Sequence, residues 1–202
     1  MTTSPSSKKP TFVKVFLPIG VLLLLIIVGL AVIKLTLKGG GVGSLHSPLN
    51  DGEGTAQNFT PEVGSFAPDV EMTLLDGKQL PFSQIKGKLF LINFWATWCE
   101  ACLEEMPSLV KLRESYKNQG FEVVGVNLDE NSERAVPKIA HQYKIQFPIF
   151  KDPDGQVADV FNVHAIPLTV IVNKDRKVLL IQDGVRDWND SDFRSQIEAW
   201  LK

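Results

Sequence analysis

Residues 94–102 read Phe94-Trp95-Ala96-Thr97-Trp98-Cys99-Glu100-Ala101-Cys102, and they decide the fold of this chain. Cys99 and Cys102 are the only cysteines among its 202 residues. The apolar run 89–95 leads into them and has the length and composition of a strand covered on both faces. A run with helical periodicity, 100–118, follows. The cysteines therefore lie where a central strand passes into a helix.

Strands and helices alternate on either side of this stretch. Asp76-Gly77 and residues 173–176 have turn sequences and predict two hairpins. The helix over 132–143 is expected to begin with Ser132 as its N-cap. The other predicted strands are 121–127, 168–172 and 178–181, and a last helix covers 192–201. This order predicts an α/β fold with helices on both faces of a central sheet.

The spacing of the two cysteines suits thiol–disulfide exchange. A lone CxxC between a strand and a helix is typical of a thioredoxin-like redox site. At the helix start, unpaired N–H groups and the helix dipole favour a thiolate on Cys99. Cys102 lies about one turn further along, close enough to attack a mixed disulfide. We therefore predict that Cys99 is the nucleophile and Cys102 the resolving thiol.

The cysteine pair could instead be a structural disulfide, half of a zinc site or two unreactive buried thiols. A disulfide that closes so short a loop adds little stability. A zinc site needs further ligands, and His46, His141 and His164 lack the spacing of zinc ligands. We expect neither a metal nor another cofactor.

The residues around the cysteines suggest the direction of the reaction. The negative charge of Glu100 opposes a thiolate on Cys99 and favours a reductant over a strong oxidant, unless this side chain only satisfies the helix N-terminus. Trp98 is a candidate for shielding Cys99 and contacting substrate, whereas Trp95 suits the core.

The N-terminal part of the chain differs from the rest in charge and hydropathy. Residues 1–38 contain five lysines and no acidic residue, so the remainder has a net charge of −7 and does not suit nucleic acid. Residues 15–33 are uncharged and, as a helix, reach about 28 Å, which is close to the thickness of a bilayer core. Lys34 follows this run with no small-residue cleavage site, so we predict an uncleaved signal-anchor.

The predicted organisation has four parts. A disordered basic N-terminus covers 1–14, a transmembrane anchor 15–33, a flexible Gly-rich linker 34–60 and a globular domain 61–202. The lysines on the two sides of the anchor favour a cytoplasmic N-terminus only slightly.

At these residues the chain resembles the TlpA/ResA/DsbE group of membrane-anchored, thioredoxin-like thiol-disulfide oxidoreductases. The matching motifs run from Gly64 to about Gly184. They are Gly64-Ser65-Phe66-Ala67-Pro68-Asp69, Leu74-Leu75-Asp76-Gly77-Lys78, Lys86-Gly87-Lys88, Asn93-Phe94-Trp95-Ala96-Thr97-Trp98-Cys99, Glu104-Glu105-Met106-Pro107, Val124-Gly125-Val126-Asn127, Phe147-Pro148 with Asp152 and Gly155, and Ile166-Pro167.

The resemblance implies a central mixed sheet and several site residues. Pro167 would follow a cis peptide bond, and the Ile166 backbone would face the CxxC and bind a substrate strand. Glu105 matches an acidic residue of the group, one turn beyond Cys102, and would tune the thiols or accept a proton. A solvated helix carboxylate is the alternative for Glu105. Asn93 stands where ordinary thioredoxins have a buried, titratable Asp.

The resemblance also implies a function and a location. We expect a single-pass protein of the cytoplasmic (inner) membrane whose catalytic domain lies on the periplasmic side and reduces protein disulfides. Cys99 would attack the target, and Cys102 would resolve it to leave a Cys99–Cys102 disulfide. A membrane electron donor of the CcdA/DsbD type would reduce this disulfide, and apocytochrome c, in cytochrome c maturation, is one expected target.

Three further functions stay open from the sequence. One is a general reductase or isomerase of exported proteins, and another is a thiol peroxidase, against which the close CxxC argues. A third is a non-enzymatic binding module with a vestigial redox pair. Ala101 and Leu168 depart from the Pro and Thr that are common in the group, so the redox potential and the substrate preference stay open.

Overall fold

The computed structural model describes residues 59–202. The predicted N-terminus (1–14) and anchor (15–33) lie outside this range, as does the predicted linker (34–60) apart from its last two residues. Within residues 59–202, no helix combines the length and apolar character needed to cross a bilayer.

Strands and helices alternate through most of the described range. The strands are β1 (Glu71–Leu74), β2 (Gln79–Pro81), β3 (Leu89–Trp95), β4 (Phe121–Asn127), β5 (Ile149–Lys151), β6 (Leu168–Asn173) and β7 (Val178–Asp183). The α-helices are α1 (Glu100–Tyr116), α2 (Ser132–Tyr143), α3 (Gln156–Val160) and α4 (Ser191–Trp200). Single turns of 3-10 helix cover Phe82–Gln84 and Lys117–Gln119.

These strands form one mixed sheet in the order β2-β1-β5-β4-β3-β6-β7. β3 is parallel to β4 and antiparallel to β6, and β4 is also parallel to β5. The hairpins β1–β2 and β6–β7 lie at the two edges of the sheet. β3 is therefore an interior strand, and the chain that leaves its C-terminal end carries Cys99.

The alternation of side chains along β3 explains why this strand is apolar almost throughout. Leu89, Leu91 and Trp95 pack in the cluster that includes the buried residues of α1 and α4. Phe90, Ile92 and Phe94 point the other way, into the cluster that includes α3. Both faces of β3 are thus covered, as expected for an interior strand of a sheet that has helices on both faces. Asn93 shares the face of Leu91 and Trp95 and so lies beneath α1.

Most predicted elements are present, with differences at ends and in short segments. Both hairpins form, and α1 gives way at Tyr116 to a 3-10 turn that ends at Gly120, whose φ is +99°. β5 and α3 were not predicted, because runs this short show no period. The prediction of Ser132 as an N-cap is wrong, because Asn131 is the N-cap and Ser132 is the first helical residue.

Candidate active site

Cys99 and Cys102 form a disulfide at the start of α1, with their Cα atoms 5.2 Å apart. Cys99 is the N-cap of α1, and its Sγ accepts a hydrogen bond from the backbone N–H of Cys102 at 3.2 Å. Cys99 is 8% exposed, whereas Cys102 is completely buried. Cys99 is therefore the more accessible of the two sulfurs, which agrees with the nucleophile role predicted for it.

The loop before β6 lies against Cys99. Its Ile166–Pro167 peptide bond is cis, as the resemblance implies. The carbonyl oxygen of Ile166 lies 3.9 Å from Cys99 Sγ. This contact follows from the sheet, because β6 pairs with β3 and places Leu168 opposite Phe94, at the end of β3 nearest the cysteines. The Ile166 backbone thus borders the disulfide, where we predicted substrate contact.

The two tryptophans of the motif have opposite environments. Trp95 is fully buried and packs in the core, whereas the side chain of Trp98, next to Cys99, is 70% exposed. An aromatic surface this open beside a reactive sulfur is available to a substrate chain. The structure therefore leaves Trp98 as the candidate for substrate contact.

Glu105 is buried on the inner side of α1, which excludes the solvated carboxylate that was its alternative. Its carboxylate accepts hydrogen bonds from Trp188 Nε1 at 2.9 Å and from Asn93 Nδ2 at 2.7 Å. Burial raises the pKa of Glu105, while the hydrogen bonds from Trp188, Asn93 and the Arg186 backbone act in the opposite direction. By contrast, the neighbouring Glu104 is exposed.

Asn93 joins Glu105 to the adjacent strand. It pairs in register with Thr169 of β6, and its Nδ2 donates to Thr169 Oγ1 at 3.0 Å as well as to Glu105. All three side chains are buried. The position of the titratable Asp of ordinary thioredoxins is thus occupied by a neutral amide that contacts the carboxylate of α1.

A second polar cluster supports the loop between β3 and α1. The carboxylate of Asp129 accepts from the Thr97 backbone N–H at 2.9 Å and from the Thr97 hydroxyl at 2.7 Å. Asn127 Nδ2 donates to the same carboxylate at 2.7 Å, and Ser132 Oγ donates to Asn127 Oδ1 at 2.7 Å. Thr97 lies two residues before Cys99, so this cluster helps to set where Cys99 stands.

Several of these residues were not found from the sequence. Trp188 reaches Glu105 across 83 residues, and no local pattern predicts such a contact. Thr169 could have been inferred from strand pairing, since it stands opposite Asn93 once β3 and β6 are aligned. Asp129 follows the end of a predicted strand, where polar side chains gather near a site, and that signal was available.

The arrangement provides a two-electron thiol–disulfide centre with a buried carboxyl behind it. Within residues 59–202, no three His, Cys, Asp or Glu side chains are grouped as metal ligands would be. The chemistry that these residues support is exchange between sulfurs, assisted by groups that hold or move the thiol protons.

Fold and site together define a thioredoxin-like thiol-disulfide oxidoreductase. The chain belongs to the AhpC/TSA family, whose model matches residues 63–181. It is 33% identical over 141 residues to the thiol-disulfide oxidoreductase ResA of Bacillus thuringiensis, covering 70% of this chain and 78% of that one. Over 121 residues it is 38% identical to ResA of Bacillus subtilis, covering 60% and 67% of the two chains.

Solved structures agree with this assignment. A thiol:disulfide interchange protein of DsbE type from Chlorobium tepidum superposes with a TM-score of 0.63 at 31% identity, covering 70% of this chain and 99% of that chain. A Bacteroides thetaiotaomicron protein described as a disulfide isomerase gives a TM-score of 0.62 at 27% identity, covering 69% and 90%. The protein is therefore a thiol-disulfide oxidoreductase of the ResA/DsbE type.

Proposed function

We propose that this protein is a membrane-anchored reductase of protein disulfides that acts outside the cytoplasm. The observation that carries the proposal is the Cys99–Cys102 pair at the start of α1, with the exposed side of Cys99 next to the Ile166 carbonyl. The uncharged run 15–33 supports the anchor, and the Gly-rich stretch after it supports a tether that lets the domain reach partners near the membrane.

The reduction of a target proceeds in two exchanges. The Cys99 thiolate attacks one sulfur of the target disulfide, forms a mixed disulfide and releases the other target sulfur as a thiolate. The Cys102 thiolate then attacks Cys99 Sγ, forms the Cys99–Cys102 disulfide and releases the second target sulfur. Two electrons pass from the protein to the target, and the released thiolates take up protons.

Glu105 is the group to which we assign the proton of Cys102. Cys102 is buried, so its thiol proton needs an acceptor inside the protein when the sulfur becomes a nucleophile. Glu105 lies one turn further along the same face of α1 and is itself buried. Because burial raises the pKa of Glu105, its carboxylate is a better proton acceptor than an exposed glutamate.

The first turn of α1 favours reduction over disulfide donation. Glu100 is the acidic residue of that turn and adjoins Cys99. Its charge opposes the stabilisation that the helix start gives to a Cys99 thiolate, and strong oxidants depend on a heavily stabilised thiolate. A weakly stabilised thiolate makes the dithiol form the better electron donor.

The partners that we propose are those that the family resemblance implies for a protein with a membrane anchor. A membrane electron donor of the CcdA/DsbD type would return two electrons to the Cys99–Cys102 disulfide. The haem-attachment cysteines of apocytochrome c are the target that we propose. A broader set of exported proteins is the other outcome of the test below.

Trapping in the native membrane tests this function. In Cys102→Ser the second exchange is blocked, so targets should accumulate as mixed disulfides with Cys99 on the outer side of the membrane. The double variant Cys99→Ser/Cys102→Ser is the matched control and should trap nothing. Capture of apocytochrome c supports the proposed target, and capture of many exported proteins supports a general reductase. Absence of any adduct beyond the control would overturn the reductase.

A further inference from the structure

The surroundings of Glu105 suit only one of its two protonation states. Trp188 Nε1 and Asn93 Nδ2 both point donors at the carboxylate. An indole N–H can only donate. A protonated Glu105 carries a donor of its own and needs an acceptor, so one neighbour has to change.

Asn93 is the neighbour that can change. Its amide uses Nδ2 for both Glu105 and Thr169, while its Oδ1 is buried with no hydrogen-bond partner. No donor at Oδ1 therefore holds the amide in this orientation, and in the turned state the amide N–H groups take the unpartnered place, which is the cost of that state. Rotation of the amide by half a turn exchanges Oδ1 and Nδ2 with little change of shape.

We propose that Asn93 and Thr169 form a hydrogen-bond switch that follows the proton on Glu105. With Glu105 ionised, the Asn93 amide donates to its carboxylate and to Thr169 Oγ1. When Glu105 takes up the proton of Cys102, the amide turns, and Oδ1 accepts from both the Glu105 hydroxyl and the Thr169 hydroxyl. Asn93 is thus a positioning residue, and the switch rests on the proton role that the proposed function gives Glu105.

Thr169 makes the rotation possible because its hydroxyl both donates and accepts. It accepts from Nδ2 in the first arrangement and donates to Oδ1 in the second. The register of the sheet holds the partners together, since Asn93 and Thr169 are opposite each other on β3 and β6. In either state, Glu105 keeps its hydrogen bond to Asn93.

The groups near Glu105 other than the Asn93 side-chain amide are held in other contacts or take part in the proton transfer. From β3 and β6, the neutral Asn93 bonds to its carboxylate and the neutral Thr169 bonds to Asn93. Cys102 precedes Glu105 by one turn on α1 and exchanges the proton. The Arg186 guanidinium carbon lies 5.5 Å from the centroid of the Trp188 ring and 4.6 Å from that of the Phe193 ring. The same guanidinium donates a hydrogen bond to the Asp190 carboxylate at 3.2 Å.

Nuclear magnetic resonance of the oxidised protein tests the switch without any substrate. The Glu105 carboxyl carbon and the two Asn93 side-chain amide protons are followed from about pH 4 to about pH 9, around and above the usual glutamate range. Above the Glu105 midpoint both amide protons should be downfield and slow to exchange. Below it both should move upfield and exchange faster, with the same midpoint, because the amide nitrogen has left its two acceptors.

A matched pair at Thr169 completes the experiment. Thr169→Val removes the hydroxyl at nearly constant shape, so one amide proton should lose its downfield position above the midpoint. Thr169→Ser keeps the hydroxyl, so that amide proton should stay downfield above the midpoint. Amide resonances that stay constant while the carboxyl titrates, or a Glu105 carboxyl that does not titrate in this range, would overturn the switch. Failure of the Cys102→Ser trapping leaves these resonances unaffected, so the two proposals fail separately.

Discussion

The indole Nε1 of Trp188 donates a hydrogen bond to Glu105 Oε2 at 2.9 Å, and both side chains are fully buried. This bond ties the active-site helix α1 to the segment between β7 and α4. The same segment donates a second bond to α1, from the Trp188 backbone N–H to Ser108 Oγ at 3.0 Å. The environment of the buried carboxyl thus depends on a part of the chain that the sequence did not connect with the cysteines.

Replacing Trp188 with Phe should raise the pKa of Glu105 further. The ring still packs against Phe193, but the carboxylate loses a donor that stabilises its charge. A hydrogen bond to a buried charge contributes about 1–3 kcal/mol, so the free energy of unfolding should fall by that amount where Glu105 is ionised. Where Glu105 is protonated, the loss should be smaller. Carboxyl carbon titration and urea unfolding at both extremes of pH measure the two effects.

Trp200→Phe is the matched control for this variant. Trp200 packs against Phe193 from α4 and is only half-buried. Its substitution should leave the Glu105 titration unchanged. An equal shift in both variants would mean that packing around Phe193, and not the indole N–H of Trp188, governs the carboxyl.

The stability of the oxidised protein should fall as pH rises through the titration of Glu105. Because burial raises the pKa of Glu105 in the folded protein, the folded protein binds this proton more tightly than the unfolded chain does. The resulting stabilisation is complete below the ordinary glutamate pKa of about 4.3 and is lost as pH rises through the raised value. Within that window the free energy of unfolding should fall with a slope of at most about 1.4 kcal/mol per pH unit, the value for one proton.

Urea unfolding at a series of pH values measures this slope. Glu105→Gln should remove it, because the amide does not titrate. Glu104→Gln alters the exposed neighbour on the same helix and should keep the slope of the unaltered protein. A slope that persists in Glu105→Gln would assign it to another group.

Thr97 and Asp129 should control the reactivity of Cys99 through the loop that carries it. Asp129→Asn weakens two hydrogen bonds to Thr97, so the free energy of unfolding should fall by about 1–3 kcal/mol. A displaced nucleophile reacts more slowly, and the rate at which the reduced protein attacks a model disulfide should fall about tenfold. Stopped-flow measurement of the Trp fluorescence change gives this rate.

Two substitutions of Thr97 separate loop anchoring from general destabilisation. Thr97→Ser keeps the hydroxyl donor and should react at nearly the original rate. Thr97→Val lacks it and should be slow. Equal rates for Ser and Val, measured where both are fully folded, would show that the hydroxyl of Thr97 does not position Cys99.

The sequence predicted the strands, hairpins and helices that have a recognisable pattern of neighbouring residues. Six of the seven residues of β3 are apolar and cover both faces, and the two hairpins have turn residues at their tips, so both were found. The helix α1 was found because its inner residues recur at helical spacing. The three-residue β5 and the five-residue α3 were not predicted from the sequence. β5 depends on its register with neighbouring strands. α3 depends on the Asp152 carboxylate, which accepts hydrogen bonds from the backbone N–H groups of Val157 and Ala158.

The site was predicted only where it lies within one motif or one resemblance. Cys99 and Cys102 are three residues apart, and Glu105 follows at helical spacing, so a single helix brings them together. Asn93 was noticed as a departure, but its bond to Glu105 depends on β3 passing beneath α1. Trp188 was missed, because its contact with α1 is formed only by the folded chain.

Trp98 should contribute to substrate binding and hardly at all to stability. Its side chain is 70% exposed beside Cys99, so Trp98→Ala should change the free energy of unfolding by less than about 0.5 kcal/mol. In the variant, a substrate chain that packs on this ring loses the contact equally in the bound complex and in the transition state. KM should therefore rise while kcat stays nearly constant. Steady-state reduction of a disulfide-bonded protein substrate measures both constants.

Phe66→Ala provides the matched control for Trp98→Ala. Phe66 is 64% exposed and forms a β-bridge with Lys177, just before β7 begins. The cysteines lie near the opposite end of β7, where Asp183 pairs with Leu168. Removing this ring takes away a similar exposed aromatic surface at a distance from Cys99, and both constants should be unchanged. If the two variants alter KM equally, the effect belongs to surface hydrophobicity in general, and Trp98 has no special place in substrate recognition.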